Sequence, residues 1–478
     1  MGEAPETGHS PPLDWPGRLW LDGRTPVQVG DFAGQAEAGR GPMSKADIPV
    51  FHNPAMTGSR TRSVLLLDQC LRENWVTKPG ATMRVLDGLA ASAVRSRRWL
   101  GEIPSEQAAR LRVTAIDTDA TALAWAQANH QTHPPYSSGD DEEGDYVDEI
   151  DEDFPDHQQG LRFLQGDLRA KVLESGWQWV DLDPFGPPTP FLDTVLQGLA
   201  RVAVVDVTAT DTAALCGAAA DSARRRYGTM AVVDDLRHDT AMRVLLGHVA
   251  SVAARHDRAI EPLMAIFDDH HVRVSIIARK SKQEASSFAE NIGWRIHNPS
   301  SDEVAIGVAR GLHPAGESDE PQLSVLIPWD TAPGGSFTGR ISGPLWTGPL
   351  GKPEVYAEMT AERAVELCAL DDKRDGDLVK RLEIPDSTIR DSQRLAAKAV
   401  RGLAEVAEVI DCPCTYPVDM VASLYSDITG PPSPTTLAEK LREKGWRAAK
   451  DFIAVPAVRT NAPWDVVITT VREIAPTK

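Results

Sequence analysis

The sequence predicts an α/β fold, an open sheet whose strands alternate with helices, followed by a smaller α+β region. Three observations carry this. Short apolar runs recur in the first half of the chain: RVLDG, RVTAID, LRFLQ, WQWVDL and ARVAVVDV. Segments with helical periodicity follow them, the pattern of a parallel sheet with crossover helices. The runs end in polar residues, at the edge where open α/β sheets bind ligands.

Composition permits such a fold. The 478 residues are 42% hydrophobic and 25% charged, ordinary for a globular chain of two to four domains. No apolar run approaches the roughly 20 residues that span a bilayer. The first residues, MGEAPETGHSPPLDW, have no basic start and no apolar stretch, so no secretory signal is expected. Five scattered cysteines, Cys70, Cys216, Cys368, Cys412 and Cys414, make no disulfide framework and fit a reducing cytoplasm. Cys412 and Cys414 alone do not complete a zinc site, and no metal is expected. The net charge of −19 argues at first against a nucleic-acid partner. Eleven of the 69 acids, however, lie between Asp140 and Asp156, with no Lys or Arg among them. That run reads as a solvated loop. Basic clusters stand elsewhere: Arg95, Arg97 and Arg98; Arg224 to Arg226; and Lys440, Arg442, Lys444, Arg447 and Lys450.

Taken in order, residues 1–45 read as an extended or β-like arm rich in Gly and Pro. Phe51 precedes a turn at Asn53-Pro54, and an amphipathic helix begins near Ser59. Arg60 sits in its first turn, where a cation opposes the helix dipole, so it is placed for an anion or carboxylate or is an ordinary surface arginine. Arg84 to Trp99 reads as strand, small-residue loop and helix. The small residues let a ligand approach the backbone, and Asp87 at the strand end suits a ligand amine. The next strand ends at Asp117, which is either a ribose ligand or a helix cap. The third ends at Gly166-Asp167-Leu168, with an acid placed for the amino group of an adenine.

The fourth strand, WQWVDL, runs into Asp183-Pro184-Phe185-Gly186. Asp183 accepts hydrogen bonds from an amine, Pro184 leaves its carbonyl free to accept, and Phe185 offers a flat apolar face. Together they suit a planar ring with an exocyclic amino group. The alternative is a plain strand-to-helix turn. The fifth strand ends in Thr208, Thr210 and Asp211. A helix over 234–256 and a β-hairpin turning near Asp268-Asp269 follow. His270 and His271 read as turn residues rather than metal ligands. After about residue 280 come Pro/Gly-rich segments, helices at 358–371 and 388–408, and a winged-helix-like end. That end is read as helices Pro417–Tyr425 and Thr435–Lys444, then strands Trp446–Val455 and Val466–Val471.

These residues resemble the tRNA (guanine(26)-N2)-dimethyltransferase family from about residue 48 to the C-terminus. The segments that carry the resemblance are VFHNPAM with Arg60, LDGLAASAVRSRR, VDLDPFGPPTPFLD, VTATDTAALCG, HDTAMRVLLG, HDRAIEPLMAIFDDHHVRV, GPLWTGPL, KGWRAAKDF and TNAPWDV. The resemblance implies a Rossmann-like methyltransferase domain over 46–281, with the acidic insert near 137–158, and a C-terminal tRNA-binding domain over 282–478. It implies S-adenosylmethionine as cofactor and tRNA as partner, with no membrane and no obligate protein partner. Arg60, Arg95, Asp117, Asp167 and Leu168 would bind the cofactor, beside Asp87. Asp183 would be the catalytic acid, with Phe185 and Phe51 holding a flipped-out base, and Pro184, Thr208 and Asp211 would touch the substrate. The chain departs from the family at Ser92-Ala93, where Thr-Gly is usual, and at Arg237-His238-Asp239, where Cys-His-Glu is common. It also lacks the four cysteines that some members carry before GPLW. Alternatives are an amino-methyltransferase acting on DNA, protein or another tRNA guanine, and an RNA-binding protein whose cofactor site has decayed. A dehydrogenase is disfavoured, since no Gly-x-Gly-x-x-Gly run opens the first helix.

Overall fold

The computed structural model describes residues 12, 14–30, 50–135, 153–316, 320–331, 339–428 and 430–475. Most of the acidic insert and parts of the N-terminal arm fall outside these. The chain divides into two compact units, Met1–Asp181 with Thr360–Val400, and Leu182–Met359 with Arg401–Lys478.

In the first unit, β1 (Arg18–Asp22) and β2 (Thr25–Val29) form an antiparallel hairpin within the expected arm. The parallel sheet follows the sequence reading: β3 (Met83–Gly88), β4 (Leu111–Asp117), β5 (Leu161–Gln165) and β6 (Trp177–Leu182), in the order β5-β4-β3-β6. Asp87 pairs with Ala115 and Asp117 with Gln165, so the strand ends line up along one edge. β3, β4 and β6 are buried almost throughout, as strands covered on both faces must be.

The helix Thr57–Glu73 buries Val64, Leu65, Leu66, Leu67 and Leu71, each worth about 1.5–3 kcal/mol relative to exposure. Helices Ala361–Cys368 and Asp386–Ala399 join this unit through side chains far apart in sequence. Arg363 donates to Asp68 at 2.6 Å, and Arg62 donates to the Ala399 carbonyl at 2.7 Å. Leu370, Ile384 and Ile389 bury a small apolar cluster against Leu21.

The second unit opens at the last residue of β6. Its strands β7 (Leu199–Ala209), β8 (Arg258–Asp268) and β9 (His271–Lys280) run antiparallel in the order β7-β9-β8. The helix Arg237–Arg255 and the expected hairpin are both present, the turn carrying Asp269 at φ 51°. Two three-stranded sheets follow. One has the order β11-β10-β12, from β10 (Ile292–His297), β11 (Ser324–Pro328) and β12 (Ile341–Trp346). The other has the order β13-β15-β14, from β13 (Thr415–Pro417), β14 (Ala448–Lys450) and β15 (Ala457–Thr460).

Two expectations about the tail need correction. The segment 388–408 is helical only to Ala399, with a 3-10 turn at Ala404–Val409. The strand expected at Val466–Val471 is part of a helix, Trp464–Ile474. Its β-branched residues favour a strand locally, but Pro463 precedes the first turn and Asp465 lies within it. Trp464, Val467, Ile468 and Val471 then recur at helical spacing and are all buried. Among the described residues, no helix is long and apolar enough to cross a membrane.

Candidate functional site

The first unit presents its predicted residues at the ends of β3, β4 and β5. Asp87 is buried, and its Oδ2 accepts from the Ser96 hydroxyl at 2.7 Å and from the Ser96 N–H at 3.3 Å. Asp117 accepts from the Ala91 N–H at 2.8 Å through Oδ2 and from the Asp119 N–H at 2.9 Å through Oδ1. Each of its oxygens keeps further lone-pair capacity for a hydroxyl donor. Asp117 also shapes the loop above β3, because Ala91 is the residue it holds. That loop takes three non-glycine residues into the left-handed region: Leu89 at φ 65°, Ala91 at φ 48° and Ala93 at φ 48°. Ala93 precedes the helix Val94–Glu102 in this conformation, as its N-cap.

Gly88 has a different reason to be glycine. A Cβ there would lie 2.9 Å from Leu168 Cδ2 and 3.0 Å from the Asp181 carbonyl. The end of β3 therefore packs tightly against the Leu168 side chain and the Asp181 carbonyl of β6, with no room for a Cβ. Leu168 itself is buried. Asp167 caps the short helix it precedes and is half-buried, with its carboxylate gripped by Arg169, including Nε to Oδ1 at 3.0 Å. The Arg169 contacts, side chain first, draw its pKa below the usual carboxylate value. Arg95 is buried and pairs with Asp181 at 3.2 Å.

Arg60 is buried, and its guanidinium holds Asp22 of β1, with Nε donating to Oδ1 at 3.0 Å. It also donates to the Asn53 carbonyl at 2.8 Å. The residue read as meeting a carboxylate does so within its own unit, and it clamps the turn that follows Phe51. Arg98 adds a second contact to Asp22 Oδ1 at 2.8 Å. Burial alone would raise the Asp22 carboxyl, but Arg60 and Arg98 hold it well below the usual range. Buried His52, 3.8 Å from Asp22, is pushed down to about 4 by burial and by Arg60, so it is neutral at pH 7. Sequence reasoning missed Asp22 and His52. The only signal was an isolated acid ending a strand in the arm.

In the second unit, Asp183 is half-buried, Pro184 is buried, and Phe185 is 51% exposed. An exposed aromatic must be held by something other than its own burial. Here Gly186 donates its N–H to the Thr210 hydroxyl at 2.6 Å, and Thr210 returns its N–H to the Gly186 carbonyl at 3.0 Å. Gly186 has φ 83°, where only glycine sits without strain, and no heavy atom lies within 4 Å of where a Cβ would be. The loop is thus pinned from one side and open on the other.

Thr208 lies elsewhere than expected. It is fully buried within β7, opposite Arg273, whose guanidinium donates to its hydroxyl at 2.8 Å. Thr210, two residues on, lies past the end of β7 at Ala209, where the chain leaves the sheet, and it meets the loop instead. Asp211 accepts from Tyr227 Oη at 2.6 Å and from Arg226 at 2.9 Å, which anchors the helix Ala220–Tyr227 beside the pinned loop. Burial, and then the Asp211 carboxylate, raise the Tyr227 pKa, keeping it a donor. Three of the five residues of the C-terminal basic cluster are paired: Lys440 with Glu443 at 2.6 Å, Lys444 with Glu473 at 2.7 Å, and Arg447 with Asp411 at 3.0 Å. A second buried acid, Asp239, is ringed by Arg243 at 2.8 Å, Arg459 at 2.7 Å and Arg295. Among the described residues, no group of three His, Cys, Asp or Glu is placed to hold a metal ion.

The sequence matches the profile of the N2,N2-dimethylguanosine tRNA methyltransferase family over residues 32–472. It is 28% identical over 430 residues to a tRNA (guanine(26)-N(2))-dimethyltransferase of Thermococcus kodakarensis, covering 90% of this chain and 94% of that one. To its counterpart in Aeropyrum pernix it is 28% identical over 461 residues, 96% and 97% of the two chains. The fold is similar to that of Trm1 from Pyrococcus horikoshii, solved with S-adenosyl-L-methionine. The TM-score is 0.67 at 22% identity, over 95% of this chain and 99% of that one.

Proposed function

The chain belongs to the N2,N2-dimethylguanosine tRNA methyltransferase family, and from that premise we propose that it methylates the exocyclic N2 of guanine 26 in tRNA, once and then twice. The observation that carries the reading is the pinned loop Asp183-Pro184-Phe185-Gly186, an acid and an exposed aromatic fixed by Thr210. The cofactor in this reading is S-adenosylmethionine, which supplies an electrophilic methyl group when bound. The strand ends of the first unit suit it. Asp117 has acceptor capacity for ribose hydroxyls, Asp87 and Asp167 are acids at nearby strand ends, and Leu168 packs on Gly88 at the end of β3. Arg60 and Arg95 complete the set in this reading, each already paired with a carboxylate of its own unit, Asp22 and Asp181.

The guanine amine is a poor nucleophile, because its lone pair is delocalised into the ring. Asp183 and the Pro184 carbonyl accept its two hydrogens and turn the lone pair out of conjugation. As the new N–C bond forms, the nitrogen gives up one proton, and Asp183 takes it. Fixing the amine in this orientation contributes several kcal/mol, on the order expected of an intramolecular reaction. A base in folded RNA leaves its stack to reach such a site, and Phe185 and Phe51 are the faces that receive it. The space beside Gly186 admits a monomethylated amine for the second transfer.

The test incubates the protein with labelled S-adenosylmethionine and unmodified tRNA carrying guanine at position 26, beside a transcript carrying adenine there. N2-methyl- and N2,N2-dimethylguanosine from the first transcript alone is the expected result. Label at another nucleoside would make the chain an amino-methyltransferase of different target. No label from folded protein, together with no cofactor binding, would support the decayed-site reading.

A further inference from the structure

The first unit contains a cavity of about 310 Å³ that none of the strand-end residues lines. Its walls come from the β1–β2 hairpin, the end of the helix Val94–Glu102, the segment after helix Ala120–Thr132, and the helix Gly376–Arg381. Four arginines line it, Arg24, Arg97, Arg374 and Arg381, against two acids, Asp375 and Asp377. Asp375 is already neutralised: Arg24 meets it at 3.0 Å and Arg374 at 2.9 Å. Asp377 and Arg381 are exposed at the rim.

Arg97 differs from the other three. It is 2% exposed and, among the described residues, has no ion pair. Its guanidinium donates only to neutral carbonyls, Pro26 at 2.6 Å and His133 at 3.0 Å, and its Nε has no acceptor. Burial draws its pKa down to about 9, the mark of a cation removed from water without a counter-charge. The His133 ring is also buried, and among the described residues neither of its nitrogens has a partner. Burial, Arg97 and Arg381 hold it neutral, with a pKa of about 4, so it retains one N–H to donate. Buried charges in folded proteins are ordinarily paired, and buried donors ordinarily have acceptors. A buried arginine, a buried unpartnered imidazole and a rim arginine around one cavity make a site short of an anion.

We propose that this cavity binds a small phosphate-bearing anion, a phosphate monoester or inorganic phosphate, held by Arg97 in its buried wall and Arg381 at its rim. A terminal phosphate carries up to two charges and three equivalent oxygens, and it can enter a recess. The internal diester of a polynucleotide carries one charge and is flanked on both sides, so it does not reach a cation this deep.

The experiment measures the melting temperature of the full chain against inorganic phosphate, adenosine 5′-monophosphate and a short RNA without terminal phosphates. Chloride keeps the ionic strength constant. Phosphate and the monoester should raise the melting temperature in a saturable way, and the RNA should not. R381Q should weaken the apparent phosphate Kd by about tenfold or more, as loss of a charge-assisted contact does. R97M should abolish the effect, and if R97M fails to fold, the exposed R381Q decides alone. No shift beyond chloride, the same shift in R381Q as in the wild type, or a shift with the RNA only would overturn the proposal.

Discussion

Two turns carry the aromatic residues read as holding the substrate base, and they are built on opposite principles. The Phe51 turn belongs to the first unit and is fixed by buried charge. Asn53 is held by Arg60, Arg60 by Asp22, and Asp22 also by Arg98, with neutral His52 against the cluster. The Phe185 turn belongs to the second unit and is fixed by neutral hydrogen bonds between Gly186 and Thr210. Buried charge gives a stiff clamp that fails sharply when one partner is lost or changes protonation. A neutral pair at an exposed loop gives a local clamp that is indifferent to pH and costs little to remove. The two turns should therefore respond differently to acid and to substitution.

The largest effect is expected at Asp183. D183A should lower turnover by about 10³-fold or more, the combined loss of positioning and proton acceptance, with cofactor affinity largely intact. Single-turnover methylation beside a cofactor titration separates the two, and loss of cofactor binding would contradict the role. Next comes acid. The folded His52 pKa of about 4 lies below the unfolded value of 6.5, so between these values the unfolded chain binds the extra proton. Stability should fall as pH drops from about 6.5 towards 4, by up to about 3 kcal/mol from this group. Melting curves of wild type and H52N should converge on acidification. Parallel curves would remove the Phe51 turn's claim to be the acid-sensitive one.

F185A should cost about 1–3 kcal/mol of RNA stacking, read as a loss in kcat/KM for tRNA with the melting temperature unchanged. T210V should cost about 1 kcal/mol in the same parameter at every pH, since it removes one neutral bond. A pH-dependent T210V effect would erase the contrast between the turns. The smallest effect is at a third loop: A93G should stabilise the fold by up to about 1 kcal/mol by relieving φ 48° at Ala93. Denaturant unfolding measures it, and no gain would mean the loop holds Ala93 without strain.

Much of this was legible from residue order. The strands ending at Asp87, Asp117 and Asp183 and the hairpin after the helix Arg237–Arg255 follow from apolar runs bounded by polar residues. The prominence of Asp183-Pro184-Phe185-Gly186 follows from an aromatic and a glycine at a strand end. Other features were not legible. The strand-like run after Trp464 folds as a helix because its buried face, not its β propensity, decides. Thr208 and Thr210 are equivalent in a linear reading, and only the end of β7 at Ala209 and the position of Arg273 keep one in the core and release the other to the loop. Arg60 reads as a cation awaiting an anion until Asp22, 38 residues earlier, is seen to occupy it.

The sequence by itself determined the local alternation of strand and helix, the chemistry at the strand ends and the family, because these depend on periodicity and on residue types at short spacing. Tertiary structure alone decided which charged groups meet. Asp22 with Arg60 and Arg98, Asp239 with Arg459, Arg363 with Asp68, and Arg97 with no carboxylate among the described residues are all outcomes of distant segments closing on one another. Such pairings leave no local pattern, because a buried charge is stabilised by whichever partner the fold delivers.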